Sequence, residues 1–180
     1  QRQMCIRDRQ KFTFNFIRII LRQGCRNTYK KMKEFQQVKY WIFDVDYTLM
    51  AMDGTLRPHT KDIFKQLIID SHKIFIWSGV GDRTSDVNRH GLSEYVSGVF
   101  VKPIADFEIG LKRFKVLPRP DFVIDDHREI VEYFGGVHIE PFYFRSSDDE
   151  HMNSLYEAIS SFVSSGDSDH RGFKKKMDRG

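Results

Sequence analysis

A chain of 180 residues that is 40% hydrophobic, 14% aromatic and 30% charged is long enough to bury one domain core, and too evenly mixed for a low-complexity or fibrous protein. Its formal net charge of +4 sits at the ends: nine basic residues against one acidic precede Met32, five against three follow Ser165, and the body between carries 15 against 21. A basic balance carried by termini lacks the clustered basic face that a nucleic acid requires, so nucleic acid is not an expected partner.

The first 31 residues stand apart. Lys11–Leu21 is apolar in flavour but short and interrupted by Arg18, whereas a spanning helix needs roughly 20 mainly apolar residues, so no membrane segment is expected. Gln1–Arg9 has the look of translated linker sequence, and Met32 is a natural start just ahead of the first strand. Residues 1–31 are therefore read as a non-native or disordered leader. Both cysteines, Cys5 and Cys25, fall in it, which leaves the remainder without a disulfide framework or a cysteine zinc site; a reducing cytoplasm is the default location.

From Lys39 the pattern alternates strand and helix. Tyr40–Val45 is a nearly continuous apolar run, as a buried central strand requires. Pro58–Ser71 places Ile63, Phe64, Leu67 and Ile68 at helical spacing with proline at the start. Lys73–Trp77 is a second strand, Asp82–His90 a helix closed by Gly91, Val99–Val101 a third strand and Ile104–Phe114 a helix. Asp121–Ile124 is a fourth strand, Arg128–Phe134 a helix, Val137–Ile139 a fifth strand and Met152–Val163 the closing helix. Residues 166–180 are polar and charged and predict a disordered basic tail. The domain is thus expected over 32–165, as an α/β three-layer Rossmann-like fold around a central parallel sheet.

Polar residues recur at the C-terminal ends of these strands, the edge at which open α/β sheets bind ligands. Asp44 and Asp46 end the first, Ser78 and Gly79 the second, Lys102 the third, and Asp125 and Asp126 the fourth. Strand alternation puts Asp44 and Asp46 on one side and Val45 on the other. Carboxylates gathered around one lysine repel unless a cation joins them, and Mg²⁺ takes oxygen ligands while retaining waters and a substrate phosphate oxygen. Each piece alone has an ordinary structural explanation: a turn, a surface lysine, a helix cap. His90, His127, Trp41 and Trp77 read as helix end, surface and core, and Asp82 and Arg83 as helix capping near the mouth of the site, with substrate contact by Arg83 the lesser alternative.

The ordered set Asp44-Val45-Asp46-Tyr47-Thr48, Ser78-Gly79, Lys102, Asp125-Asp126 resembles the four motifs of the haloacid dehalogenase superfamily over most of Lys39–Pro141. Tyr47 departs from the glycine of its commonest members. The resemblance implies a phosphohydrolase in which Asp44 is the nucleophile and Asp46 the general acid and base, with Thr48 positioning Asp46. It further implies Ser78, the Gly79 amide and Lys102 on the phosphoryl oxygens, and Mg²⁺ held by Asp44, Asp46, Asp125 and Asp126. Receiver domains combine similar groups, but their acidic pair comes early and their phospho-accepting aspartate later, the reverse of the order here.

Superfamily members often insert a cap domain after the first motif or after the third. The 32 positions from Asp46 to Ser78 hold a short flap, with Asp53-Gly54 as its turn, plus one helix and one strand; the 23 from Lys102 to Asp125 hold one helix and one strand. No cap domain is expected. The sequence therefore predicts a capless, HAD-like, Mg²⁺-dependent phosphomonoesterase acting on a phosphorylated small molecule or macromolecule. The alternatives are a catalytically silent binding module of the same fold and a polynucleotide-end phosphatase.

Overall fold

The computed structural model describes residues 40–120 and 122–176. The leader at 1–31, the start at Met32, residues 177–180 of the tail and Asp121 at the predicted start of the fourth strand lie outside these.

The chain runs β1 (Tyr40–Asp44), α1 (Thr60–Ile69), β2 (Lys73–Ser78), α2 (Thr84–Arg89), β3 (Val96–Val101), α3 (Phe107–Arg113), β4 (Phe122–Asp125), α4 (Arg128–Phe134), β5 (Gly136–His138), α5 (His151–Ser165) and β6 (Phe173–Lys174). The sheet order is β3-β2-β1-β4-β5-β6. All neighbours are parallel except the last pair, β5 and β6. β1 is central, paired with β2 from Tyr40↔Lys73 to Asp44↔Trp77 and with β4 from Trp41↔Phe122 to Phe43↔Ile124. The chain winds outward from β1 through β2 and β3, then returns to add β4 on the other side. The C-terminal ends of β1 and β4 therefore meet at the switch point where a crevice opens.

Alternation along β1 divides the core in two. Trp41, Phe43 and Val45 face one layer with Ile63, Phe64 and Leu67 of α1, Val87 of α2 and Leu155 and Ile159 of α5. Ile42 faces the other with Trp77, Val123, Leu111 of α3 and Ile130 and Phe134 of α4. A strand buried on both faces must be apolar at every position, which is why Tyr40–Phe43 shows no polar alternation. Asp44 has the parity of Ile42, and Val45 that of Phe43, as the sequence predicts.

The tail departs from expectation. Phe173–Lys174 form β6 against β5, with Val137 opposite Phe173 and the His138 amide donating to the Gly172 carbonyl at 2.9 Å. Phe173 packs on Phe122 and Phe162 at ring separations of 6.2 and 5.7 Å. Strand pairing and this aromatic contact give Phe173 and Lys174 a place that the composition of the segment does not predict. The helix expected over Ile104–Phe114 starts only at Phe107, because Asp106 before it adopts the left-handed conformation at φ 45°. Ile104 is thereby left in a loop. Among the described residues no helix is long and apolar enough to cross a membrane.

Candidate active site

The ends of β1, β2, β3 and β4 bring the expected residues together in three contacting groups. In the first, the Lys102 ammonium lies 2.6 Å from Asp44 Oδ1 and 3.1 Å from Asp125 Oδ2. All three side chains are buried. The Asp44 contact is an ion pair whose angles fall short of a hydrogen bond, whereas Lys102 Nζ donates to both oxygens of Asp125. Burial first, and the Asp125 carboxylate second, push the Asp44 carboxyl well above its ordinary range, with Lys102 pulling the other way. Burial works to lower the Lys102 ammonium, but its two carboxylate partners outweigh that and raise it.

The second group surrounds Asp46. Ser78 Oγ donates to Asp46 Oδ2 at 2.6 Å and accepts the Val80 amide at 3.0 Å. Arg83 Nη2 pairs with the other oxygen, Asp46 Oδ1. Arg83 also reaches Asp86 through Nη1 at 3.1 Å and Ser78 Oγ through Nε at 3.4 Å. Arg83 is therefore a site residue, while Asp82 performs the local task, its carboxylate accepting the Thr84 amide at 2.9 Å. The identity of Arg83 was legible in the sequence, but its partner across 37 positions was not.

The third group joins Thr48, Asp126 and His127. Thr48 Oγ1 accepts the Asp126 amide at 3.1 Å and approaches Asp126 Oδ1 at 3.4 Å. Thr48 thus ties the β1 loop to the β4 loop, its hydroxyl meeting Asp126 rather than Asp46. His127, expected at the surface, directs Nδ1 to Asp126 Oδ1 at 2.9 Å and Asp125 Oδ1 at 3.2 Å. Its own amide donates to Asp125 Oδ1 at 3.0 Å, so Asp125 also serves the turn into α4. Burial raises the Asp126 carboxyl, opposed by the His127 charge. The hydrogen bond to Asp125 raises the His127 imidazolium to about 9, with burial opposing and the Asp126 charge assisting.

That shift carries a sign. A histidine with a folded pKa near 9 and an ordinary value of 6.5 adds stability that is complete below pH 6.5 and is lost as pH rises through 9. In protein stripped of divalent cations, the urea midpoint is expected to fall across that window, and His127→Gln to flatten the fall. Parallel pH profiles for the two proteins would remove the pairing.

Asp44, Asp46, Gly79, Lys102 and His127 line one cavity of about 470 Å³. Thr48, Ser78 and Asp125 are fully buried behind that surface. A β-carbon added to Gly79 would lie 3.1 Å from Ile104 and 3.7 Å from the Lys102 side chain, so a side chain there would press on Ile104. One ligand atom each from Asp125, Asp126 and His127 can come within 4.8 Å of the others, a spacing that suits a shared cation. The carboxylates of Asp44, Asp46, Asp125 and Asp126 are the oxygen donors that a hard divalent cation such as Mg²⁺ takes.

The loop carrying this site is held by a residue that no motif marks. Arg57, 2% exposed, donates Nη1 to the Thr48 carbonyl at 3.0 Å and Nη2 to the Glu140 carbonyl at 2.9 Å, and pairs with Asp149 at 3.0 Å. No local pattern in the sequence marks Arg57; only the packed loops reveal its partners. Compared with known proteins, the chain matches no family model and no curated protein.

Proposed function

We propose that this chain is a Mg²⁺-dependent phosphomonoesterase of the capless haloacid dehalogenase type, acting through an aspartyl-phosphate on Asp44. The observation that carries the reading is the buried Asp44–Lys102–Asp125 group at the switch point, opening onto a cavity that also presents Asp46. A buried carboxylate beside a buried lysine and a second carboxylate is costly to maintain for stability alone.

The steps follow from these side chains. An Asp44 oxygen attacks phosphorus, the ester P–O bond breaks, and the departing alkoxide takes a proton from Asp46. Asp46 then takes a proton from water, which attacks phosphorus and breaks the Asp44–phosphorus bond to release phosphate. Lys102 offsets negative charge on the nucleophile and on the phosphoryl oxygens, and Ser78 with the Gly79 turn holds those oxygens. Asp44, Asp125, Asp126 and the Asp46 carbonyl would hold Mg²⁺, which when bound adds positive charge against the phosphoryl oxygens. The absence of a cap domain is supported by the short spans: a hairpin pairing Met50 with Leu56 before α1 and, among the described residues, α3 as the one helix between Lys102 and β4.

The test is Mg²⁺-dependent release of phosphate from an aryl phosphate and a panel of phosphate monoesters, with mass spectrometry for a phosphorylated Asp44 peptide after acid quench. A wild-type protein inert across the panel favours the silent binding module. One observation leans that way, since Ser78 and Arg83 occupy both carboxylate oxygens of Asp46. An incoming phosphoryl group offers both residues a second acceptor. Arg83→Ala is therefore expected to lower kcat/KM by about 10- to 100-fold, the scale of one or two charge-assisted hydrogen bonds. A faster variant would mean that Arg83 restrains Asp46 instead.

A further inference from the structure

Resting on the phosphomonoesterase reading, we infer that the substrate's leaving group is an apolar alcohol, alkyl or aryl, seated against Val80, Ile104 and Phe107. The cavity has two unlike ends. Around Asp44, Asp46 and Lys102 it is charged; the remaining lining includes Val80, Ile104, Phe107 and Ile130, with Tyr47 as a polar aromatic and His127 and Glu129 as the other charged members. His127 is already committed to the acidic pair. Glu129 opposes a leaving group that carries further negative charge, such as a nucleotide or a second phosphate.

The apolar wall is not ordinary core. Val80 is 77% and Ile104 76% exposed, so two aliphatic side chains face water at the rim of the same cavity. Ile104 stands in the loop left by the delayed start of α3, beside the open space at Gly79 that a β-carbon would enter. Phe107 is backed by Tyr133 and Phe134 at ring separations of 4.5 and 5.5 Å, which gives the floor a packed aromatic support. At about 470 Å³ the cavity falls within the range of roughly 300–1,000 Å³ typical of small-molecule sites. A polyhydroxylated leaving group would lose water to Val80, Ile104 and Phe107 without gaining hydrogen bonds from them. An apolar one removes their exposed surface from water.

Alkylphosphonates separate this inference from the reading beneath it, because they carry the anionic head and a tail of adjustable length but cannot be hydrolysed. Binding of methyl- to hexylphosphonate to the full chain is measured by calorimetry in Mg²⁺ buffer. Affinity is expected to rise by up to about fourfold per buried methylene, and by at least about tenfold from methyl to hexyl. Ile104→Asn and Val80→Asn, both at exposed positions, are expected to flatten that rise. Methylphosphonate binding with no dependence on chain length would overturn the apolar leaving group and leave the phosphohydrolase reading intact. A gradient unchanged in both variants would overturn the assignment to this wall. No binding at any length would overturn the inference and the phosphate site together.

Discussion

Asp44→Asn is expected to lower phosphate release by about 10⁴-fold or more, the scale seen when a nucleophile that acts in concert with its partners is removed. The amide is nearly isosteric with the carboxylate but cannot form the covalent phosphoryl adduct, so no phosphorylated peptide should be recovered. The substitution should not unfold the protein. Asp44 is 1% exposed, and burial together with Asp125 already disfavours its charged form. Asparagine removes that repulsion and leaves Lys102 paired with Asp125 at 3.1 Å. Loss of activity with an unchanged or raised urea midpoint in Mg²⁺-free buffer is the expected pair of results. Activity within about tenfold of wild type would remove Asp44 from the mechanism. Asp46→Asn should be less severe, about 10²–10⁴-fold, and its deficit should shrink with aryl phosphates, whose leaving groups need little protonation.

The largest effect on stability is expected at Arg57. Its guanidinium reaches the Asp149 carboxylate and the Thr48 and Glu140 carbonyls and lies 5.1 Å from the Phe142 ring. Two loops are thereby joined: the one between β1 and α1, which carries Thr48 and Arg57 itself, and the one between β5 and α5, which carries Glu140 and Asp149. Arg57→Met retains much of the apolar volume but leaves Asp149, whose side chain is only 9% exposed, with the His151 amide and no countercharge. Breaking a buried pair from one side costs about 3–5 kcal/mol. Burial acts to raise the Asp149 carboxyl, but the hydrogen bond and charge of Arg57 hold it below its ordinary range. With a depressed folded pKa, the stabilising contribution is present above the ordinary carboxylate range and is lost as pH falls through the folded value. The difference between wild type and Arg57→Met should therefore be greatest near pH 7 and narrow in acid. Urea unfolding at both pH values measures it, and a deficit below about 1 kcal/mol at pH 7 would show that the pair is not structural. Adding Asp149→Leu should recover much of the loss, since a buried pair replaced on both sides leaves no stranded charge.

The order of strands and helices, the buried central strand and the carboxylates at its end were legible because they rest on local properties. Apolar runs, helical spacing and strand alternation act over a few residues, so Trp41, Phe43 and Val45 separate from Ile42 and Asp44 in the sequence as they do in the sheet. The same holds for Ser78, Lys102, Asp125 and Asp126, whose positions follow from where strands stop. What a side chain touches across the sheet is a different matter. Arg83 on Asp46, Thr48 on Asp126 and Arg57 on Asp149 join residues 37, 78 and 92 positions apart, and no local pattern encodes such pairings. His127 shows the same division: its place after the acidic pair is written in the chain, but its role as that pair's countercharge depends on the turn that brings its ring back. β6 and the late start of α3 went the same way, one set by pairing with β5 and by Phe173 meeting Phe122 and Phe162, the other by a left-handed Asp106. Local periodicity determined the scaffold and the places where chemistry could stand. Long-range packing decided which charges neutralise one another and which apolar side chains were left facing the cavity.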